Sequence, residues 1–264
     1  MSTLLILGSK PDPVLPPATE WDDLACANAS GYIAAKHGLP DPVFTVVTAL
    51  LVSGIESGKQ SMQAMRGLHT GTLYCLRSTS RKTSLRLASP RKFLRAVPRA
   101  IRVSPLYFKW VMHRAGYRWD HFVAVDVFRY VEAACHWISQ GDELLAQAAQ
   151  KRPSTGLTAL LIGMSLRRYD RFILSGFSFE LTHAYAHNPE INQRGTQKSA
   201  HAPTDILFLQ RLASGLGNVY TTEQTVHRMA GLPLLGFPGG GPSPIGKESF
   251  VAGISGDESS PPGI

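Results

Sequence analysis

Apolar and polar positions alternate between two rhythms along this chain. Short apolar runs stop at a polar or glycine-bearing turn, and helical spacing follows them. The first run is Thr3 to Leu7, stopped by Gly8-Ser9-Lys10-Pro11-Asp12. Asp23 to Ala27 is next and meets Asn28 at once, with a helix expected over Gly31 to Lys36. Pro42 to Thr48 follows, then helical sequence through Met65, then Gly71 to Leu76. His121 to Val125 reads as a short strand, Arg171 to Ser175 as a buried one stopping at Gly176, and Asn218 to Thr221 as the last. Strands separated by crossover segments imply a parallel sheet and an α/β fold.

The stretch from Val127 to Gln150 predicts one helix, with Phe128, Val131, Cys135 and Ile138 at helical spacing. The small polar turn Ser154-Thr155-Gly156 opens another, with Leu157, Leu160, Leu161 and Met164 on one face. Arg167 and Arg168 suit the negative end of its dipole. A polar loop from Ser178 to Ala200 holds His183, Tyr185 and His187, and His201 closes it. Asp205 reads as the N-cap of a further amphipathic helix carrying Ile206, Leu209 and Leu212. Polar residues therefore gather beyond the carboxyl end of the 171–175 strand, where ligands bind in open α/β sheets.

Composition narrows the picture. A chain of 264 residues with 44% apolar content makes one globular domain, expected over residues 1–235. Residues 236–264 are rich in Gly, Pro and Ser and are expected to form a flexible tail. No apolar run approaches the roughly 20 residues of a spanning helix, and Leu4 to Leu7 lacks the basic start of a signal peptide. Cys26, Cys75 and Cys135 show no metal spacing, sit in apolar surroundings and point to buried thiols in a reducing cytosol. The formal net charge is +8, unevenly spread: from Lys59 to Trp119 there are fourteen Lys and Arg and no acidic residue. Such a stretch attracts anions. Phe93, Leu94, Val97, Ile101, Leu106, Phe108 and Trp110 interleave with these charges, which favours an anionic membrane surface over nucleic acid as partner. No nucleic-acid motif accompanies the charge, and no D-x-D, H-E-x-x-H or Cys/His zinc spacing occurs.

Several of these pieces stand in a telling order: the Ser154-Thr155-Gly156 turn, its apolar helix, Ile173-Leu-Ser-Gly176 with Phe179, Ala184-Tyr-Ala186, then His201 with Asp205, Ile206 and Leu209. The set resembles glycosyltransferase family 42, bacterial sialyltransferases that take sialic acid from its CMP sugar. The likeness covers about a quarter of the chain, fades towards the N-terminus and is absent at the C-terminus. It implies a Rossmann-like parallel sheet with helices on both faces, of the variant GT-A type, with a polar lid over the active site. It also implies a metal-independent, inverting transfer of sialic acid or a related nonulosonic acid, or the eight-carbon acid Kdo, to a cell-surface glycan. The CMP-sugar is then donor substrate, with no separate cofactor. The expected location is cytoplasmic, peripheral on the inner membrane.

The same resemblance distributes roles. His201 falls on the general base, a task that suits a side chain titrating near neutrality. Tyr185 falls on a phosphate-binding tyrosine, and Arg152 on an arginine before the small-polar turn. Gly8, Ser9 and Lys10 fall on the donor loop, and Asn28 on an asparagine that contacts CMP. Ser154, Thr155 and Gly156 would meet the sugar carboxylate or the phosphate at a helix N-terminus. There are departures. Lys10 replaces a glycine and Asp12 a serine. Val46, Val47 and Thr48 stand where a second asparagine is expected, and Glu180 where a second tyrosine is. One residue fewer separates His201 from Asp205. These leave two rivals open: a transferase with another nucleotide donor, and a non-catalytic basic protein of the same fold that binds membrane or glycan.

Overall fold

The computed structural model describes residues 1–52, 56–76, 104–138, 141–180 and 199–236. Three features expected from the sequence lie outside these residues: residues 77–103 with nine of the fourteen cations of the basic stretch, the loop 181–198 with His183, Tyr185 and His187, and the tail from 237.

Seven parallel strands make one sheet: β1 (Thr3–Leu7), β2 (Asp23–Ala27), β3 (Phe44–Thr48), β4 (His69–Leu76), β5 (Arg118–Val125), β6 (Arg171–Ser175) and β7 (Val219–Thr221). Their order is β5-β4-β3-β2-β1-β6-β7. Successive strands add to one side of β1, and β6 then returns to its other side, with Leu7 paired to Cys26 and to Ser175. The direction of winding reverses at β1, the topological switch point.

Side-chain alternation decides the two faces. Leu4 and Ile6 join the larger core with Ala25, Phe44 and Val46, whereas Leu5 and Leu7 join Leu24, Cys26, Ile33 and Ala34 on the other side. α1 (Gly31–Lys36) covers the second face. α2 (Glu56–Ala64) and α3 (Pro105–Arg114) flank the β4 and β5 end, where Phe108 and Met112 pack with Met65, Leu73 and Tyr117. The larger core is covered by α4 (Val127–Cys135), α5 (Gly141–Gln150), α6 (Thr155–Ser165) and α7 (Ala202–Gly215), and α8 (Gln224–Ala230) closes the chain against β7 and α7. Helices thus lie on both faces, as expected.

α6 is the central helix. It crosses β1, β2 and β3, and all eight residues from Leu157 to Met164 are buried rather than one stripe of them. Gly163 allows this contact, since a Cβ there would come within 2.6 Å of Leu4 Cδ2.

Four expectations are corrected. Residues 127–150 form two helices, because the first ends at Cys135 in a turn over 136–138 and the second starts at Gly141, where a Cβ would stand 2.5 Å from the Cys135 carbonyl oxygen. Asp205 is not a cap: the helix begins at Ala202-Pro203 with His201 in the capping position, and Asp205 sits buried in its first turn. β5 starts at Arg118, three residues earlier than read, and as an edge strand it carries exposed polar residues there. Phe108 belongs to the core, not to the exposed basic face. Of the three cysteines, Cys26 and Cys75 are buried and Cys135 is half-buried; burial pushes the Cys26 thiol up to about 12.

Candidate active site

The carboxyl ends of β1, β2, β3 and β6 open into a cleft of about 280 Å³. Gly8 and Ser9 line it after β1, Asn28 after β2, Thr48 at the end of β3, and Gly176 to Glu180 after β6. Ser154, Thr155 and Gly156 enter from the start of α6, and Ser199, His201 and Asp205 from the start of α7. Eight sequence-predicted residues are thereby sorted: Gly8, Ser9, Asn28, Ser154, Thr155, Gly156 and His201 share one cleft, while Lys10 does not line it.

Two glycines set the floor. Gly8 N donates to the Ser175 carbonyl at 2.8 Å and Lys10 N to the Gly176 carbonyl at 2.9 Å, so the loop after β1 runs against the end of β6. A Cβ on Gly8 would stand 2.3 Å from the Gly176 oxygen. Glycine at position 8 therefore serves an internal backbone approach as well as any ligand. Gly156 lies under the Phe177 ring, where a Cβ would meet Cε1 at 2.8 Å.

Asn28 adopts φ +52°, a left-handed conformation that asparagine tolerates better than most residues. Buried Ser30 holds this corner: its hydroxyl donates to the Leu7 carbonyl at 2.7 Å and accepts from Ala27 N at 2.9 Å. Asn28 Oδ1 is buried and has no hydrogen-bond partner among the described residues. An orphaned amide oxygen at the edge of a cleft fits a ligand that brings a donor, such as the amino edge of a pyrimidine or a ribose hydroxyl.

The start of α7 grips the strap before α6 residue by residue. His201 Nδ1 bonds the Arg152 carbonyl at 2.7 Å, Thr204 Oγ1 donates to the Lys151 carbonyl at 3.0 Å, and Ser154 N donates to Asp205 Oδ1 at 2.8 Å. Ser154 Oγ accepts from Leu157 N at 3.1 Å and caps α6. A carbonyl only accepts, so His201 carries its proton on Nδ1 and keeps the Nε2 lone pair. Burial lowers the His201 pKa below its ordinary value, against a smaller upward pull from the Arg152 carbonyl, and Lys151 and Arg152 lower it further. Neutral imidazole with an open Nε2 is the form a general base requires. Arg152 enters the site through its main-chain oxygen.

Two acidic groups hold places the sequence did not indicate: Asp205, read there as a cap, and Glu223, which nothing singled out. Asp205, only 6% exposed, has its carboxyl pushed up to about 7 by burial, against bonds from Ser154 that lower it. Glu223, 3% exposed, takes Val14 N at 3.0 Å and Gly176 N at 2.9 Å on Oε1 and Lys10 Nζ at 2.5 Å on Oε2. Lys10 thus neutralises Glu223 instead of lining the cleft. Its partner stands 213 residues away, and nothing local announces it. Glu180 does line the cleft, at an exposed bridge position. Among the described residues no three His, Cys, Asp or Glu side chains group as they would around a metal ion.

No protein-family model matches this sequence, and no curated protein matches it. Solved structures share its fold. The sialyltransferase CstII from Campylobacter jejuni, in complex with the substrate analogue CMP-3FNeuAc, is similar with a TM-score of 0.50 and 14% identity, over 89% of this chain and 86% of that chain. The monofunctional α-2,3-sialyltransferase Cst-I from the same organism gives a TM-score of 0.47 and 15% identity, over 90% of this chain and 83% of that one. Over 89% of its length this chain shares the fold of the sialyltransferase CstII.

Proposed function

We propose that this protein is a glycosyltransferase that moves sialic acid, or a related nonulosonic acid, from a CMP-sugar to a glycan hydroxyl. The observation that carries the reading is the one cleft that joins His201, whose Nδ1 is tied to the Arg152 carbonyl, the α6 N-terminus and the Asn28 oxygen that lacks a partner among the described residues, at the switch point of the sheet. Its support from outside is the shared fold of CstII, which was solved with a CMP-sugar analogue.

In this reading Asn28 Oδ1 accepts from the cytosine amino group or the ribose. The N–H groups of Thr155 and Gly156 lie in the first turn of α6 and have no partner within the helix. They and the helix dipole meet the phosphate or the sugar carboxylate. The acceptor hydroxyl oxygen bonds the anomeric carbon as the bond from that carbon to the phosphate oxygen breaks, and configuration inverts. The hydroxyl proton goes to His201 Nε2, and the electron pair leaves with CMP. The departing phosphate gains one negative charge, which in this reading the main-chain N–H groups and the helix dipole stabilise without a metal. Exposed Glu180 faces the same cleft and has to turn from the phosphate as the donor binds.

Thermal shift against CMP, UDP, GDP and ADP tests the donor, since a ligand that binds only the folded state raises its melting temperature. CMP is expected to give the largest shift, and CMP-sialic acid to be turned over with a glycan acceptor in EDTA. No shift with any nucleotide overturns the enzyme reading. A larger shift with UDP or GDP replaces the donor.

A further inference from the structure

α3 has two apolar faces, and only one is covered. Phe108 and Met112 are fully buried against the β4 and β5 end of the sheet. Two positions out of step, and so about 200° around the helix, stand Leu106 and Trp110, exposed to 79% and 56%. The pair is one turn apart and shares its side of the helix with Arg114, whose guanidinium lies 5.4 Å from the Trp110 ring centroid. Tyr107 packs its ring on Trp110 at 5.9 Å. Lys109 flanks this face, its ammonium 5.1 Å from the Phe122 ring, with exposed His113 beside it. Ser104 caps the helix by accepting from Tyr107 N, and Pro105 opens it, so the face is held on a formed element.

The sequence that carries this face is one-signed in charge. Fourteen of the 27 Lys and Arg and none of the nineteen Asp and Glu fall between Lys59 and Trp119, so this stretch carries +14 and the rest of the chain −6. We infer that the Leu106–Trp110–Arg114 face of α3 docks on an anionic lipid bilayer. An exposed leucine offers nothing to a phosphodiester backbone, whereas leucine and tryptophan beside cations enter the headgroup boundary while the cations meet lipid phosphates. A second copy is the wrong occupant, because a two-fold contact would set Lys109 and Arg114 of one copy against the same cations of the other. Among the described residues no helix is long and apolar enough to cross a membrane. The inference does not rest on glycosyl transfer.

Sedimentation of the full chain with vesicles of phosphatidylcholine and phosphatidylserine, against phosphatidylcholine alone, tests it. Binding is expected only with the anionic lipid and is expected to weaken as salt rises through about 0.1 M. The double change Leu106→Ser and Trp110→Ser should weaken it about tenfold at unchanged melting temperature, since both side chains are exposed. Lys109→Gln with Arg114→Gln should weaken it and flatten the salt dependence. Equal binding to neutral vesicles, or binding that the Leu106 and Trp110 changes leave intact, overturns the assignment. Retention on RNA at the same salt, with no pelleting on vesicles, overturns it in favour of nucleic acid.

Discussion

Glu223 Oε2 lies 2.5 Å from Lys10 Nζ, joining the loop after β7 to the loop after β1. The same carboxylate holds Val14 N and Gly176 N. Glu223→Ala would leave two main-chain donors and an ammonium without their acceptor. A loss of about 2–4 kcal/mol of stability is expected, with weaker CMP binding because the Gly8–Val14 loop loosens. Glu223→Gln keeps one oxygen for the two N–H groups and should lose less than half of that. Urea unfolding and nucleotide titration of the two variants measure both effects; equal losses would deny the charge a role.

His201→Ala should lower turnover by about 10²- to 10⁴-fold, the usual contribution of a general base, while CMP binding stays within a few-fold. Protonation of His201 removes the base, so the rate falls on the acid side. Burial lowers the His201 pKa, so the midpoint of that fall is expected below the ordinary value of 6.5. A rate profile at saturating donor and acceptor reads it. A midpoint above 6.5, or a variant with near-normal turnover, places the base elsewhere.

Asp205 makes a separate statement about pH. Its carboxyl is raised from 3.8 to about 7 in the folded protein, so the folded state holds a proton that the unfolded state has released across that window. Stability from this group is therefore highest at acid pH and falls as pH rises, by up to about 1.4 kcal/mol per unit, until it levels off near 7. Asp205→Asn does not titrate and its amide oxygen still accepts from Ser154 N. The variant should gain on the wild type from pH 4 to pH 7 and hold a constant lead above it. Melting temperatures across that range check the sign.

Gly8→Ala and Gly156→Ala should differ in kind. At Gly8 the added methyl meets backbone, the Gly176 oxygen at 2.3 Å, and neither strand end can yield; a loss of about 2–3 kcal/mol is expected. At Gly156 it meets the edge of the Phe177 ring at 2.8 Å, which can rotate at smaller cost. Gly31→Ala, with Leu68 Cδ1 at 3.6 Å, is the control and should be neutral or stabilising. Thermal denaturation of the three variants ranks them.

The sheet was legible because each buried strand is an apolar run with its own stop signal, and β2, β6 and α1 begin and end where the sequence places them. The Ser154 turn and His201 were legible because a local order of residue types marks them. What escaped depends on distance or on signals read too coarsely. Ser104-Pro105 is a cap followed by a first-turn proline, yet it stands in a stretch whose charge pattern is the louder signal. Pro203 marks the start of α7 and displaces Asp205 from the cap, but an aspartate before an apolar stripe is the louder pattern. The close approach of the Cys135 carbonyl leaves no room for a Cβ at Gly141, and Glu223 acts on Lys10 and Val14, more than two hundred positions away; neither contact has a local signature.

The return of β6 to β1 also sets a timetable. Strands β1 to β5 can pair in order as they leave the ribosome, but β1 keeps one bare hydrogen-bonding edge until Arg171–Ser175 emerges. Between the end of β5 at Val125 and Ser175 the delay is roughly 3–10 s at ordinary elongation rates. A half-made sheet with an open apolar edge is the species most exposed to aggregation in that interval. Chains stalled before Arg171 should therefore be cut by protease at β1, and chains stalled beyond Gly215 should resist. The cleft draws on residues from Gly8 to Asp205, so a ligand of this cleft can first bind only once the start of α7 has emerged, and such a ligand would act on the chain late in its folding.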